Sequence, residues 1–162
     1  MGRGFQYGGA DEARLSDEVL DALHAADLEA VVLCPCNPFH TLQPILAVNG
    51  MREALRKRGA PVIAVSPIIG GRALQGSAAK MMQELGREVS ARAIAMEFHR
   101  LIDGIVIDSA DEALAEGIRA SSCEVLAVPT FMRNADDRLK LARAVLEFAR
   151  AVRSRREIAA DA

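Results

Sequence analysis

Short apolar runs alternate along this chain with longer segments in which apolar residues recur every three or four positions. The apolar runs are four or five residues long, which is typical of parallel strands buried on both faces. The periodic segments predict amphipathic helices that pack against those strands. The pattern predicts strands at residues 30–33, 61–65, 104–107 and 124–128. It predicts helices at residues 16–25, 42–58, 77–85, 91–101, 111–116 and 136–153.

This alternation indicates an α/β fold with a doubly wound, Rossmann-like sheet. We expect a mostly parallel sheet of about four strands with helices on both faces, in a single α/β domain spanning residues 1–162. Such a sheet is smaller than the usual size of roughly five or six strands. We therefore expect an incomplete version of a larger fold.

Composition narrows the classes of function. The 162 residues are 51% hydrophobic and 26% charged, which indicates a globular protein rather than a disordered one. A formal net charge of −2 without a basic stripe gives no basis for nucleic-acid binding. The apolar runs are too short to span a bilayer, and residues 1–15 carry no apolar signal core. We expect a cytoplasmic protein with no nucleic-acid or membrane partner.

The carboxyl ends of the predicted strands indicate where a ligand would bind. Ligands of open parallel sheets bind beyond those ends, and the unusual residues of this chain gather there. The segments concerned are residues 34–37, 66–71, 108–109 and 129–130. The sequence therefore predicts a site for a small phosphorylated molecule at this edge of the sheet.

Residues 66–76, SPIIGGRALQG, follow an apolar strand and precede a predicted helix. Glycine lets backbone N–H groups approach an anion closely, and a helix N-terminus adds unpaired donors. Gly70, Gly71, Gly76 and Ser77 are therefore candidate phosphate-binding residues. The segment matches neither of the common phosphate-loop patterns, so an ordinary turn with two glycines is the alternative.

The loop after the first strand reads CPCNPFHTLQPIL and places Asn37 between Pro35 and Pro38. The prolines fix the backbone, so that the loop presents the amide of Asn37, the hydroxyl of Thr41 and the imidazole of His40 in a rigid frame. One interpretation is ligand recognition. The other is a turn in which Asn37 caps the entry to a helix.

Several segments, in a fixed order, resemble a known family. They are Asn37-Pro38, Pro44-Ile45-Leu46-Ala47 with Gly50 and Arg52, Ser66 to Gly71 with Gly76, Ile107-Asp108, and Met132-Arg133 before Asp137-Arg138. This order resembles the 2-phospho-L-lactate transferase family, CofD. Its members carry an Asn-Pro loop with PILA, an SPIIGG segment, a strand ending in aspartate and a late Met-Arg stretch. The resemblance runs from about residue 5 to residue 149, nearly the whole chain.

The resemblance implies a transferase of deazaflavin coenzyme biosynthesis. Such an enzyme moves a phospho-lactyl group, or a related phospho-three-carbon-acid group, from a guanosine diphosphate-linked donor. The implied acceptor is the hydroxyl of the deazaflavin Fo, and GMP leaves. Mg²⁺ is the implied cofactor, since it neutralises a diphosphate. The resemblance identifies neither the metal ligands nor a catalytic residue in this chain.

The resemblance also implies roles for individual residues. The implied substrate-binding residues are Asn37, Pro38, Thr41, Ser66 and Asp108. The implied phosphate-binding residues are Gly70, Gly71, Gly76, Ser77 and Arg133. A strand-end aspartate such as Asp108 is as often a loop cap, and Arg133 and Arg52 have a surface or structural role as their alternative.

The chain also departs from the family pattern. Members run to about twice this length and begin with a strand and a GGTGGAK-type loop, whereas residues 8–13 here read GGADEA and follow no strand. Gln75 replaces a lysine, and Ser77 replaces a proline. The chain resembles the C-terminal half of a CofD-type transferase, so whether it is an enzyme stays open.

Three functions therefore remain open. The first is the transferase, or the C-terminal part of one. The second is a non-catalytic module that binds a nucleotide or sugar nucleotide, and the third is an inactive transferase fragment. A sheet that lacks strands leaves an edge unpaired, so a homodimer is a further expectation.

Overall fold

A four-stranded parallel sheet forms the centre of the protein in the computed structural model, which describes residues 5–73 and 76–160. The strands are β1 (Val31–Leu33), β2 (Val62–Val65), β3 (Ile68–Ile69), β4 (Arg72–Ala73), β5 (Gly104–Ile107) and β6 (Glu124–Ala127). The helices are α1 (Asp17–His24), α2 (Gln43–Ala47), α3 (Met51–Lys57), α4 (Ala78–Glu84), α5 (Ala91–Phe98), α6 (Ala115–Arg119) and α7 (Ala135–Ala160). A π-helical turn, Pro38–Leu42, precedes α2, and a 3-10 turn, Ser109–Leu114, precedes α6.

The sheet has the order β1-β2-β5-β6, and each neighbouring pair is parallel. The expectation of a Rossmann-like sheet with helices around it is confirmed. The order adds one detail: among the described residues it follows the chain without a reversal, so the chain progresses across the sheet in one direction. The antiparallel pair β3–β4 forms a separate small hairpin.

Two apolar layers cover the two faces of the sheet, because successive side chains of a strand point to opposite faces. Ala64 and Ile105 belong to the layer that packs against residues of helices α2 to α6. Ile63 and Val106 belong to the other layer, which contains Phe148 and further residues of α7. Helix α7 therefore covers the second face of the sheet.

The predicted helix at residues 42–58 is divided in the structure. Gly50 adopts a φ of +87°, in the left-handed region that interrupts an α-helix, and it lies between α2 and α3. Both helices still bury apolar side chains against the same core, including Leu46 and Leu55. The prediction of one helix was wrong because the apolar period continues across the break.

The first strand, β1, lies at the edge of the sheet. Its side chain Val32 is on the α7 face and is 38% exposed, whereas Val62 and Ile63 on the neighbouring strand are fully buried. Within the part of the chain that the structure describes, no helix is long and apolar enough to cross a membrane.

Candidate functional site

A cavity of about 290 Å³ opens at the carboxyl edge of the sheet. Residues that follow β1, β2 and β6 line it, together with one residue each from α4 and α7. Three of the four strand ends that the sequence singled out therefore meet here. The lining residues are Pro35, Cys36, Asn37, Ser66, Pro67, Ile69, Ala78, Thr130, Phe131, Met132 and Arg138.

Asn37 caps the π-helical turn after β1. Its Oδ1 accepts the backbone N–H of Phe39 at 2.9 Å and that of His40 at 3.1 Å. Its Nδ2 donates to Ser77 Oγ at 3.1 Å and to the sulfur of Met81 at 3.3 Å. The amide therefore forms the cap that the sequence left open, and it also ties the first loop to α4 at the wall of the cavity.

Pro38 and Thr41 do not reach the cavity wall. Pro38 is among the fully buried side chains, so it shapes the loop through its fixed backbone angle. Thr41 is exposed and its hydroxyl lies beside the thiol of Cys36, which does line the cavity. Burial, with the nearby Cys34, raises the pKa of the Cys36 thiol, while the Thr41 hydrogen bond acts in the opposite direction.

Ser66 directly follows β2 and is almost completely buried, at 1% exposure. Its hydroxyl donates to the carbonyl oxygen of Ile68 at 3.0 Å and accepts the N–H of Ile68 at 3.1 Å. The hydroxyl proton is thus used inside its own turn. Ser66 contributes to the shape of the cavity wall, and its donor is committed to the protein.

The glycine-bearing segment folds as a β-hairpin rather than as a phosphate loop. Gly70 and Gly71 occupy its two-residue turn with φ values of +55° and +74°, the combination that a type I′ turn requires. The N–H of Gly70 donates to the carboxylate of Asp111. Neither glycine lines the cavity, and the phosphate-binding role of Gly70 and Gly71 stays a prediction.

Gly76 and Ser77 do not line the cavity either. Gly76 is exposed with a φ of +75°, and the Oγ of Ser77 accepts the amide of Asn37. Ser77 directly precedes α4, and the first residue of α4, Ala78, lines the cavity. Gln75, the position at which the family lysine is replaced, lies outside the described residues.

Asp108 supports the cavity from behind. Its Oδ2 accepts both the N–H and the hydroxyl of Thr130, at 2.7 Å and 3.1 Å, and its Oδ1 accepts the N–H of Ala110 at 3.0 Å. Burial by itself would raise the pKa of Asp108, but these three hydrogen bonds together hold it below the ordinary value. Asp108 is therefore a loop cap that fixes Thr130 in the wall.

Two arginines near the start of α7 differ in their surroundings. Arg133 forms an ion pair with Asp137, with 2.9 Å between Nε and Oδ2, and this contact lowers the pKa of Asp137. Arg133 lines a second, adjacent cavity of about 250 Å³, whereas Arg138 lines the first. Arg52 lies elsewhere and donates to the side chain of Gln43, which is a structural contact.

Ala78, Phe131, Met132 and Arg138 are the lining residues that sequence reasoning did not assign to the site, whereas Thr130 lies in an assigned segment. Phe131 is half exposed and lies between the two cavities, since it lines both. The segment 129–130 and the Asp137-Arg138 pair were visible in the sequence. Which side of the first turn of α7 faces the cavity was not.

The described residues do not by themselves fit a metal site. Residues 5–73 and 76–160 bring no three His, Cys, Asp or Glu side chains together in a group that could hold a metal ion. The carboxylates of Asp108 and Asp111 are both engaged by hydrogen bonds within the protein. The expected Mg²⁺ therefore has no ligand set among these residues.

Six of the eleven lining residues belong to the segments by which the chain resembles a known family: Asn37, Ser66, Pro67, Ile69, Met132 and Arg138. Sequence comparison matches residues 4–143 to the family 2-phospho-L-lactate transferase CofD. The chain belongs to this family. The resemblance stated from the sequence is therefore confirmed, and it includes the segments at the ends of β1, β2 and β6.

Individual CofD relatives carry two kinds of name. The phosphoenolpyruvate transferase of Streptomyces griseus is 37% identical over 147 residues, covering 90% of this chain and 46% of that protein. The 2-phospho-L-lactate transferase of Methanocaldococcus jannaschii is 36% identical over 136 residues, covering 84% and 42%. The phosphoenolpyruvate transferase of Mycolicibacterium smegmatis is 37% identical over 150 residues, covering 90% and 44%. The chain spans less than half the length of these CofD relatives.

Proposed function

We propose that this chain is the part of a CofD-type transferase that binds the nucleotide-linked donor. The transferase moves a phospho-lactyl or phosphoenolpyruvyl group from a guanosine diphosphate-linked donor to the ribityl hydroxyl of the deazaflavin Fo. One observation carries the proposal: the cavity wall is made by the Asn37 loop and the Ser66 segment, which are family motifs. The identities to the two kinds of relatives are nearly equal, so they do not favour either three-carbon acid.

The proposed reaction is an attack on phosphorus. The ribityl oxygen of Fo forms a bond to the distal phosphorus of the donor, and the bond from that phosphorus to the bridging oxygen breaks. GMP leaves with the bridging oxygen, and the hydroxyl proton passes to solvent. Such transfers depend mainly on positioning and on counter-charge. In this chain the rigid wall at Asn37 and Ser66 provides positioning, and Arg138 provides positive charge at the cavity.

Mg²⁺ is part of the proposal as a group that would enter with the diphosphate of the donor and neutralise its charge. Its place in the proposal rests on the family resemblance, because the described residues form no ligand set for it. The cytoplasmic setting likewise stays a prediction from the sequence.

A second candidate is a non-catalytic nucleotide-binding module. The observation that favours it is the hydrogen bond from Gly70 to Asp111, because a backbone donor expected to face phosphate is already occupied by a carboxylate of the protein. An inactive fragment is the limiting case of this candidate. We also propose a homodimer, supported by the edge position of β1 and the exposure of Val32.

Calorimetric titration of the purified chain tests these functions. GDP and GMP are titrated with and without Mg²⁺, with UDP and ATP as controls for the base. Guanine-selective binding supports the donor-binding part, and an assay of transfer to Fo then separates the transferase from the binding module. A folded, dispersed chain that binds none of the four nucleotides contradicts both. The molecular mass in solution, from sedimentation, tests the dimer.

A further inference from the structure

We propose that Arg138 is the residue that binds the anionic group of the molecule in the cavity, a role that the sequence assigned to Arg133. The inference deepens the proposed function, and it rests on that function for the identity of the ligand. It concerns a named residue on the first turn of α7 that the motif analysis did not place in the site.

The side-chain amide and hydroxyl donors on the cavity wall are already engaged within the protein. The amide of Asn37 donates to Ser77 and Met81, the hydroxyl of Ser66 donates to Ile68, and the hydroxyl of Thr130 donates to Asp108. These donors are committed inside the protein. Among the described lining residues, the guanidinium of Arg138 is the charged group, and it makes no side-chain hydrogen bond or ion pair with a described residue.

Arg133 differs from Arg138 because its guanidinium is paired with a carboxylate. The guanidinium of Arg133 is held by the carboxylate of Asp137, so its charge is balanced where it lies. An incoming anion would have to compete with that carboxylate. Arg138 faces no such competitor among the residues that the structure describes, and it offers a planar fork of N–H donors that matches phosphate oxygens.

The charge on the described cavity wall also favours an anionic ligand. Among the residues that the structure describes, no carboxylate lines it, and the carboxylate of Asp108 is held by three hydrogen bonds to Thr130 and Ala110. The rest of the wall includes the apolar side chains of Pro67 and Ile69 and the half-exposed ring of Phe131. An anionic group beside a flat, weakly polar portion is the chemistry that this wall accommodates, as in a phosphorylated nucleoside.

The test compares ligands that differ in charge. Binding of GDP, inorganic pyrophosphate and the neutral guanosine is measured by calorimetry for the wild type and for Arg138→Gln, Arg138→Lys and Arg133→Gln. Arg143→Gln is the matched control, because it removes the same charge from an exposed position of the same helix. Arg143 lines neither cavity.

We expect Arg138→Gln to weaken GDP and pyrophosphate binding by about tenfold to a hundredfold, the range for a lost charge-assisted hydrogen bond, and to leave guanosine binding unchanged. Arg138→Lys recovers part of the loss. Arg143→Gln binds as the wild type does, and Arg133→Gln loses less anion affinity than Arg138→Gln does. The wild-type affinity for pyrophosphate falls with added salt, and that of Arg138→Gln falls less.

Equal anion affinities of Arg138→Gln and the wild type overturn the inference, and so does a loss confined to Arg133→Gln. A wild type that binds neither GDP nor pyrophosphate also overturns it. In a further outcome, pyrophosphate binding depends on Arg138, GDP binds no more tightly than pyrophosphate, and guanosine does not bind. The anion site then stands and the guanine-nucleotide function fails. The two failures are therefore distinguishable.

Discussion

The carboxylate of Asp111 accepts the backbone N–H of Gly70, with 3.0 Å to one oxygen and 3.2 Å to the other. The two residues are 41 positions apart, and the bond ties the tip of the β3–β4 hairpin to the 3-10 turn after β5. Asp111 is 7% exposed, so the contact is sheltered from water by the packing around the turn. A glycine amide that a phosphate loop would present to a ligand serves here to fix the hairpin.

We expect Asp111→Ala to lower the free energy of unfolding by about 1–3 kcal/mol, because it removes a hydrogen bond to a charged acceptor. The measurement is urea denaturation at neutral pH. Glu112→Ala is the matched control, since Glu112 is exposed in the same turn, and we expect a change within about 0.5 kcal/mol. Equal effects of the two variants would contradict the structural role of Asp111.

Asn37→Ala is expected to cost about 1 kcal/mol of stability, because the side chain caps a helical turn. Asn37→Asp keeps an oxygen for the cap and loses the donor to Ser77, so its stability is expected between those of Asn37→Ala and the wild type. Under the proposed function, Asn37→Asp also weakens GDP binding, since it places a negative charge on the cavity wall. Urea denaturation and calorimetry give the two quantities separately. An Asn37→Ala protein as stable as the wild type would show that the cap contributes nothing.

Asp108 makes stability depend on acid. Its pKa in the folded state is lowered below its ordinary value of 3.8. The stabilisation is therefore fully present above that ordinary value, and it is lost as the pH falls through the lower pKa of the folded state. We expect the free energy of unfolding to decrease with acid more steeply in the wild type than in Asp108→Asn.

The measurement is urea denaturation in steps from pH 7 to pH 3 for both proteins. Asp136→Asn is the control, because Asp136 is an exposed aspartate with no hydrogen bond of its side chain to a described residue. Parallel curves for the wild type and Asp108→Asn would refute the assignment of the acid-sensitive step to Asp108.

Two glycine-to-alanine changes are expected to act in opposite directions. A Cβ at Gly104 in β5 would lie 2.8 Å from the ring of Phe148 and 3.2 Å from Ile63 Cδ1. We expect Gly104→Ala to destabilise the protein by about 1–3 kcal/mol through overpacking. A Cβ at the exposed Gly117 in α6 meets nothing within 4 Å, so Gly117→Ala is expected to stabilise it by about 0.5–1 kcal/mol.

Thermal and urea denaturation of both variants test these signs. Adding Phe148→Leu to Gly104→Ala should recover part of the loss, because the smaller side chain leaves room for the new methyl group. Failure of this rescue would mean that the cost arises from the backbone of β5 rather than from contact with α7.

The sequence by itself determined the sheet, because strand patterning is local. The strand at residues 104–107 was predicted with its observed bounds, and the other three central strands within one residue at each end. The sequence also determined the family, because the motifs at Asn37 and Ser66 are recognisable without the structure. The carboxyl ends of the predicted strands indicated the edge of the sheet at which the cavity lies.

Tertiary structure decided what the individual polar groups do, because hydrogen-bond partners are set by contacts between distant segments. Gly70 and Asp111, or Asn37 and Ser77, are about forty positions apart, and no periodicity pairs them. The hairpin at residues 68–73 was missed because its strands are only two residues long. The charge at the cavity was decided in the same way: Asp137 engages Arg133, and the rotation of α7 brings Arg138 to the wall.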